Sequence, residues 1–244
     1  MLEEEPLSIR VQGKPYSVVM RTPGDEIAHV AGFCLGEGVI DSRDDIKQMG
    51  FCDGDDTNTV TVTLTPARLQ KTEHVLERRG FISQTSCGIC GKEIIDDLSQ
   101  AVAPLKQGGR IGAVTAVDCI KNLKRHQPLR DETMASHAAA VYDGNAKMLS
   151  VAEDVGRHNA LDKAIGKTLL ADGLQAAAFV VLSSRVSFEM VQKTARARIP
   201  IILAVSRPTA LAVRLASQLN MTVACRPKKS GLIVYCGRGR IRGK

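Results

Sequence analysis

Two thiols, Cys87 and Cys90, stand three positions apart in the stretch TSCGICGKE at residues 85–93, beside Gly88 and Gly91. Four chemistries use such a pair. A structural zinc takes about four ligands, and the chain offers no second C-x-x-C, so Cys52 or His74 would have to be recruited. A thioredoxin-like exchanger places its pair after an early strand of a βαβ unit, whereas this pair follows the polar, helix-like PARLQKTEHVLERRG. A purely structural pair is the third option, because cysteine buries well. The fourth is a mobile sulfur carrier. Glycine frees the backbone and leaves the thiols uncovered. Arg78, Arg79 and Lys92, with the start of a helix expected over 92–99, favour thiolate over thiol. A thiolate accepts sulfane sulfur as a persulfide, and a neighbouring thiol relays it by exchange. The pair alone leaves all four open.

The rest of the chain bounds the choice. Its 244 residues suffice for one large domain or two small ones, with 44% hydrophobic and 24% charged residues. No apolar run reaches the ~18 residues of a membrane span. The opening MLEEEPLSIR lacks the basic-then-apolar pattern of a secretion signal, so a cytoplasmic protein is expected. Seven cysteines, an odd number in a reducing compartment, argue against a disulfide framework. The net charge of +7 is local: CRPKKSGLIVYCGRGRIRGK at 225–244 holds seven Lys and Arg and no acid. Taking those seven from the 33 basic residues leaves 26, equal to the 26 acidic ones. A neutral body with one basic region suggests an anionic partner met at one place. With no Trp and 3% aromatic residues, platforms for nucleic-acid bases are scarce; nucleic acid stays open, a phosphate-rich small molecule fits at least as well, and the bland alternative is a solvated tail. The rival from another class is a nucleic-acid-binding regulator with the C-x-x-C as a redox or zinc switch.

The elements that must position these residues form an α/β chain. LSIRVQ and PYSVVM predict two short strands around Gly13-Lys14. Thr22, Pro23 and Asp25 predict a helix start, and NTVTVTL at 58–64 alternates as a half-buried strand. His29, among the helically spaced Ile27, Val30 and Ala31, reads as structural rather than as a ligand. Thr115 and Asp118 are candidate caps for a helix over AVDCIKNLKRH. SHAAAVYDGNAKMLSVA predicts two strands joined at 143–145, and RHNALDKAIGKTLLADG a helix closed by glycine. From residue 176, AAAFVVLSS, RVSFEMVQKTARAR, IPIILAVS and PTALAVRLASQLN alternate strand and helix, and MTVAC and GLIVYC add strands. Such alternation predicts a parallel or mixed sheet covered by helices. Ser183, Ser184 and Ser206 follow apolar strands, where α/β sheets hold ligands; the alternative is that they cap the next helices.

Together, CGICG at 87–91, EDVGRHNALDK at 153–163, SSRVSFEMVQK at 183–193, AVSRPTALAV at 204–213 and TPGD…GFCLGEGVI resemble the FdhD family of sulfur carriers required for formate dehydrogenase activity. The likeness runs from about Glu5 to Ile241. It implies a homodimer that takes persulfide sulfur from a cysteine desulfurase and transfers it to the molybdenum bis-guanine-dinucleotide cofactor. The sulfurated cofactor then goes to formate dehydrogenase. Cys87 would bear the persulfide and Cys90 assist. The resemblance implies an α+β N-terminal domain over 1–70 and a three-layer, cytidine-deaminase-like domain with a mixed sheet over 71–244. The second domain would carry a mobile cysteine loop at about 84–92. A catalytic zinc is not expected, since His137 is followed by Ala138-Ala139 rather than the H-x-E of deaminases. Cofactor contacts are implied at RPKKSG: Arg226, Pro227, Lys228, Lys229, Ser230 and Gly231. Guanine nucleotides such as GDP would occupy the same site. Arg157 as anion partner, His158 as hydrogen-bond donor, and Ser183, Ser184, Arg185 and Ser206 are further candidates. The chain departs from the family at TMASHAAA, where Met134 and Ala135 replace a glycine-bearing pair, and in the lysines of RPKKSG.

Overall fold

The structure is a computed structural model that describes residues 1–52, 57–78, 102–106, 108–227 and 231–243. Strands β1 (Glu5–Val11) and β2 (Lys14–Arg21) form a hairpin, turned at Gln12 and Gly13, whose φ values are 54° and 73°. Two successive positive φ angles suit the right-handed twist of a tight hairpin. Helix α1 (Glu26–Gly36), β3 (Ile46–Phe51) and β4 (Thr59–Leu64) follow, and the sheet runs β2-β1-β4-β3 with β1 and β4 parallel. The alternation of NTVTVTL buries Val60, Val62 and Leu64 on the same core as Leu7, Ile9 and Val11. Helix α2 (Pro66–Arg78) opens on proline, where its missing N–H costs nothing. The expected boundary between residues 70 and 71 falls inside α2, and one apolar core extends from Leu7 to Cys225.

The larger sheet is built from β6 (His137–Asp143), β7 (Met148–Asp154), β8 (Ala177–Leu182), β9 (Ile201–Ala204), β10 (Thr222–Cys225) and β11 (Ile233–Cys236). Around it lie α3 (Ala113–Asn122), α4 (Pro128–Thr133), α5 (Arg157–Leu170), α6 (Phe188–Arg196) and α7 (Ala210–Gln218). A short β5 (Ile111–Gly112) pairs in parallel with β12 (Ile241–Arg242). The order is β11-β10-β9-β8-β6-β7, with β8, β9 and β10 parallel and β6 and β11 reversed. Both faces are covered, which is why these strands read as unbroken apolar runs. One face sets Tyr142, Phe179, Val181 and Leu203 against Ala116, Cys119 and Ile120 of α3. The other sets Val141, Val180, Leu182 and Ile202 against α5, α6 and α7, and shares its core with α1 and the small sheet.

Helices α1 and α5 cross with their main chains in contact. A Cβ at Gly32 would lie 1.9 Å from the Asp162 carbonyl oxygen, and one at Gly166 would lie 1.7 Å from that of Ala28. Only hydrogen fits at either position.

Several local expectations are corrected. Asp25 stands at the N-cap of α1 with φ 61° and makes no side-chain cap bond; its carboxylate pairs instead with Lys167 at 2.6 Å, and Thr22 is committed elsewhere. Helix α3 starts earlier than predicted, behind Gly112, so Thr115 lies in its first turn and Asp118 faces Lys121 at 3.9 Å. The left-handed residue after α5 is Asp172, not Gly173, whose N–H bonds Thr168 O at 2.8 Å. Strand β3 and helix α4 are additions. IKQMGF has no clean alternation, and α4 is capped from a distance by Glu153, which accepts from the N–H groups of Leu129 at 2.8 Å and Arg130 at 3.1 Å.

Candidate functional site

Cys87, Cys90 and the 84–92 loop lie outside the described residues, as do Lys228, Lys229 and Ser230. The other sequence-predicted residues come together through topology. Since β7 is antiparallel to β6, and β6 to β8, the carboxyl ends of β7, β8, β9 and β10 share one edge with the starts of β6 and β11. That edge collects Arg157 and His158 after β7, Ser183, Ser184 and Arg185 after β8, and Ser206 after β9. It also collects Arg226 and Pro227 after β10, and Gly231 before β11.

The serines are not helix caps. Ser183 Oγ accepts from Ala138 N at 2.8 Å, and Ser184 Oγ donates to the Arg185 carbonyl at 3.0 Å. The cap residues of α6 and α7 are instead Ser187 and Thr209, and the Thr209 hydroxyl accepts from Ala212 N at 3.2 Å.

Beside Ser183 and Arg226 opens a cleft of about 500 Å³, lined also by Lys121, Lys124, Arg125 and Arg130. Its lining has five cations and no carboxylate, with Asp118 approaching Lys121 from outside it at 3.9 Å, so its charge suits an anion. Sequence reasoning passed over Lys121, Lys124, Arg125 and Arg130. The signal was the basic run KNLKRHQPLR at 121–130, which ends α3 and enters α4.

The cationic edge continues towards α5. Arg130 Nη1 donates to the Ser136 carbonyl at 2.9 Å, which brings it next to His137. Burial and then the guanidiniums of Arg130, Arg157 and Arg185 push the His137 imidazole below its usual value. His137 Nδ1 and Arg157 Nε are both buried without a hydrogen-bond partner among the described residues. His158 Nε2 lies 3.4 Å from Ser187 Oγ and 3.7 Å from Glu189, the latter an ion-pair distance rather than a hydrogen bond. His158, and the Ser187 hydroxyl donating at 2.6 Å, hold the Glu189 carboxyl down at about 2.

What fixes Arg157 and His158 is the turn before α5. Thr22, at the end of β2, donates its N–H to Asp154 at 3.1 Å, and its hydroxyl accepts from Val155 N at 3.0 Å. Its carbonyl accepts from Lys163 Nζ at 2.7 Å. Lys163 also pairs with Asp154 at 2.7 Å, both side chains at most 2% exposed. Asp154 accepts further from Gly156 N at 2.8 Å and Asn159 Nδ2 at 2.9 Å. Every lone pair of that buried carboxylate faces a donor, so the helix start has little freedom.

Apart from Cys52, which is exposed, the described thiols offer little nucleophilicity. Cys34, Cys119 and Cys225 are buried, and burial pushes Cys119 and Cys236 up and Cys225 up to about 12. Among the described residues no three His, Cys, Asp or Glu side chains gather as a metal site, and no helix is long and apolar enough to cross a membrane.

Comparison with known proteins places these features in context. A family model described as FdhD/NarQ family matches residues 2–242. A protein of Mycobacterium tuberculosis named sulfur carrier protein FdhD is 40% identical over 252 residues, covering 98% of this chain and 90% of the relative. One of Streptomyces coelicolor with the same name is 37% identical over 250 residues, covering 99% and 88%. A crystal structure from Desulfotalea psychrophila, of a protein described as a formate dehydrogenase accessory protein, is 25% identical with a TM-score of 0.76. It covers 98% of this chain and 90% of that one.

Proposed function

Because the chain belongs to the FdhD/NarQ family, with residues 2–242 matched, we propose that it is a sulfur carrier that serves formate dehydrogenase. In this reading the Cys87 thiolate attacks the outer sulfur of a cysteine desulfurase persulfide. The desulfurase thiolate leaves, and Cys87 becomes the persulfide. That sulfur passes as a neutral sulfur atom to the molybdenum bis-guanine-dinucleotide cofactor as substrate, which supplies the two electrons that make it sulfide; the S–S bond breaks, Cys90 assisting, and Cys87 leaves as thiolate. The cofactor rests at the cationic edge, its pyrophosphates compensated by Arg226, Arg130, Lys228 and Lys229, with guanine nucleotides such as GDP as partial occupants. The protein works as a cytoplasmic homodimer, and its six-stranded unit is similar to cytidine deaminase without that enzyme's H-x-E zinc motif.

The observation that carries the reading is the cleft at the strand ends, with five cations and no acid, in a chain related to named sulfur carriers. One experiment tests both halves. After incubation with a desulfurase and cysteine, mass spectrometry of the 85–93 peptide should find one added sulfur atom, absent in Cys87→Ala. Arg226→Gln should load sulfur normally yet bind GDP more weakly. Sulfur retained by Cys87→Ala refutes the carrier residue, and unchanged GDP affinity refutes the placement of the cofactor.

A further inference from the structure

Two imidazoles stand at the cationic edge, and they differ in what they touch. His158 faces Glu189 at 3.7 Å and the Ser187 hydroxyl at 3.4 Å. His137 has a buried Nδ1 with no hydrogen-bond partner among the described residues. The charged groups around it come from every neighbouring element. Arg130 of α4 donates to the carbonyl of Ser136, immediately before His137. Arg157 and His158 open α5, just past Asp154, the register partner of His137. Arg185 follows Ser183, whose hydroxyl accepts from the N–H of Ala138, the next residue.

The neighbouring acids are already engaged. Glu153 on β7 accepts from Leu129 N, Arg130 N and the Ser136 hydroxyl at 2.8, 3.1 and 2.6 Å. Asp154 is saturated by Thr22, Gly156, Asn159 and Lys163. Glu189 belongs to His158. His137 is therefore a ring with a spare nitrogen inside a set of guanidiniums, and burial together with those charges disfavours its protonation.

We propose that His137 takes up a proton when a phosphate-bearing anion binds this edge, so that one ring makes the affinity depend on pH. The inference rests on the anion-holding reading of the same edge. A bound pyrophosphate would neutralise the guanidiniums whose charge opposes the imidazolium. The proton comes from solvent and adds to the ring nitrogen, and no bond in the ligand breaks. The sign follows from linkage: a ligand whose binding raises a pKa binds tighter as pH falls, by at most about tenfold per pH unit. The gain levels off once the free protein is itself protonated at His137.

Calorimetric titration with GDP at about pH 7, in buffers of different ionisation enthalpy, reads the protons exchanged. The wild type should take up more protons than His137→Asn, the difference cancelling protons carried by GDP itself. His158→Asn should keep most of the uptake. Uptake unchanged in His137→Asn, or lost instead in His158→Asn, overturns the proposal, as does GDP binding with no exchange in the wild type. Absence of GDP binding to the wild type fails the underlying site reading instead. Should His137→Asn not fold, the imidazole carbon-bound proton resonances of the wild type decide. With GDP, one histidine should move to its protonated position at constant pH, and five unmoved rings overturn the assignment.

Discussion

Replacing Gly166 by alanine sets two known effects against each other. Alanine is the better helix former by about 1 kcal/mol, so α5 taken alone would gain. The added methyl, however, would start 1.7 Å from Ala28 O, 2.7 Å from the carbonyl carbon and 2.9 Å from Gly32 N. All three are main-chain atoms of α1, which cannot rotate aside as a side chain can. Restoring an ordinary carbon–oxygen contact of about 3.4 Å requires α1 and α5 to part by about 1.7 Å along that line. The interface they share includes Val30, Ala31, Leu35, Leu161, Ala164 and Ile165, each at most 1% exposed, and a gap of even ~1 Å forfeits up to about half the dispersion energy of the atoms facing it. Overpacking with a rigid neighbour lies at or above the upper end of the usual 1–3 kcal/mol. After the propensity gain, a net loss of about 2 kcal/mol or more is expected. Gly144→Ala is the control, because a Cβ there meets nothing within 4 Å; its effect should stay within about 0.5 kcal/mol. Urea unfolding followed by far-UV circular dichroism measures both. A Gly166→Ala protein as stable as the control would refute the main-chain contact.

Two further outcomes follow from buried charge. Lys163→Met leaves the Asp154 carboxylate buried without its cation and should cost about 3–5 kcal/mol in the same urea titration; a loss below about 1 kcal/mol would contradict the pairing. His29 is buried beside Lys163, Lys193 and Arg21, and burial first, then those charges, hold its pKa well below 6.5. The unfolded chain therefore binds a proton that the folded chain refuses, and stability falls as pH drops below about 6.5, by roughly 1.4 kcal/mol per pH unit. His29→Leu should remove that slope, and equal slopes in both proteins would disprove it.

The strands and helices after residue 176 were legible because both faces of the sheet are covered, which makes runs such as AFVVL unambiguous. The strand-end residues were legible for a related reason, since apolar strands followed by serine or arginine mark one edge once the sheet is parallel. Lys121, Lys124 and Arg125 were not, because nothing local says that α3 ends over that edge rather than in open solvent. The role of Thr22 was misread for the same cause. Thr-Pro-x-Asp is good cap chemistry, yet three bonds to Val155, Asp154 and Lys163, more than 130 residues away, decide what it does. Strand β3 escaped because its pairing with β4, not its own alternation, makes it a strand.

The Thr22 clasp bears on how the protein can be dissected. A fragment begun after Leu64 would contain every basic residue of the strand-end cleft, and by inventory would look competent. Its Val155 amide and Lys163 ammonium would face solvent where threonine had been, and the glycine surface of α5 would lie bare. The first sheet is thus a splint for a region it does not itself belong to.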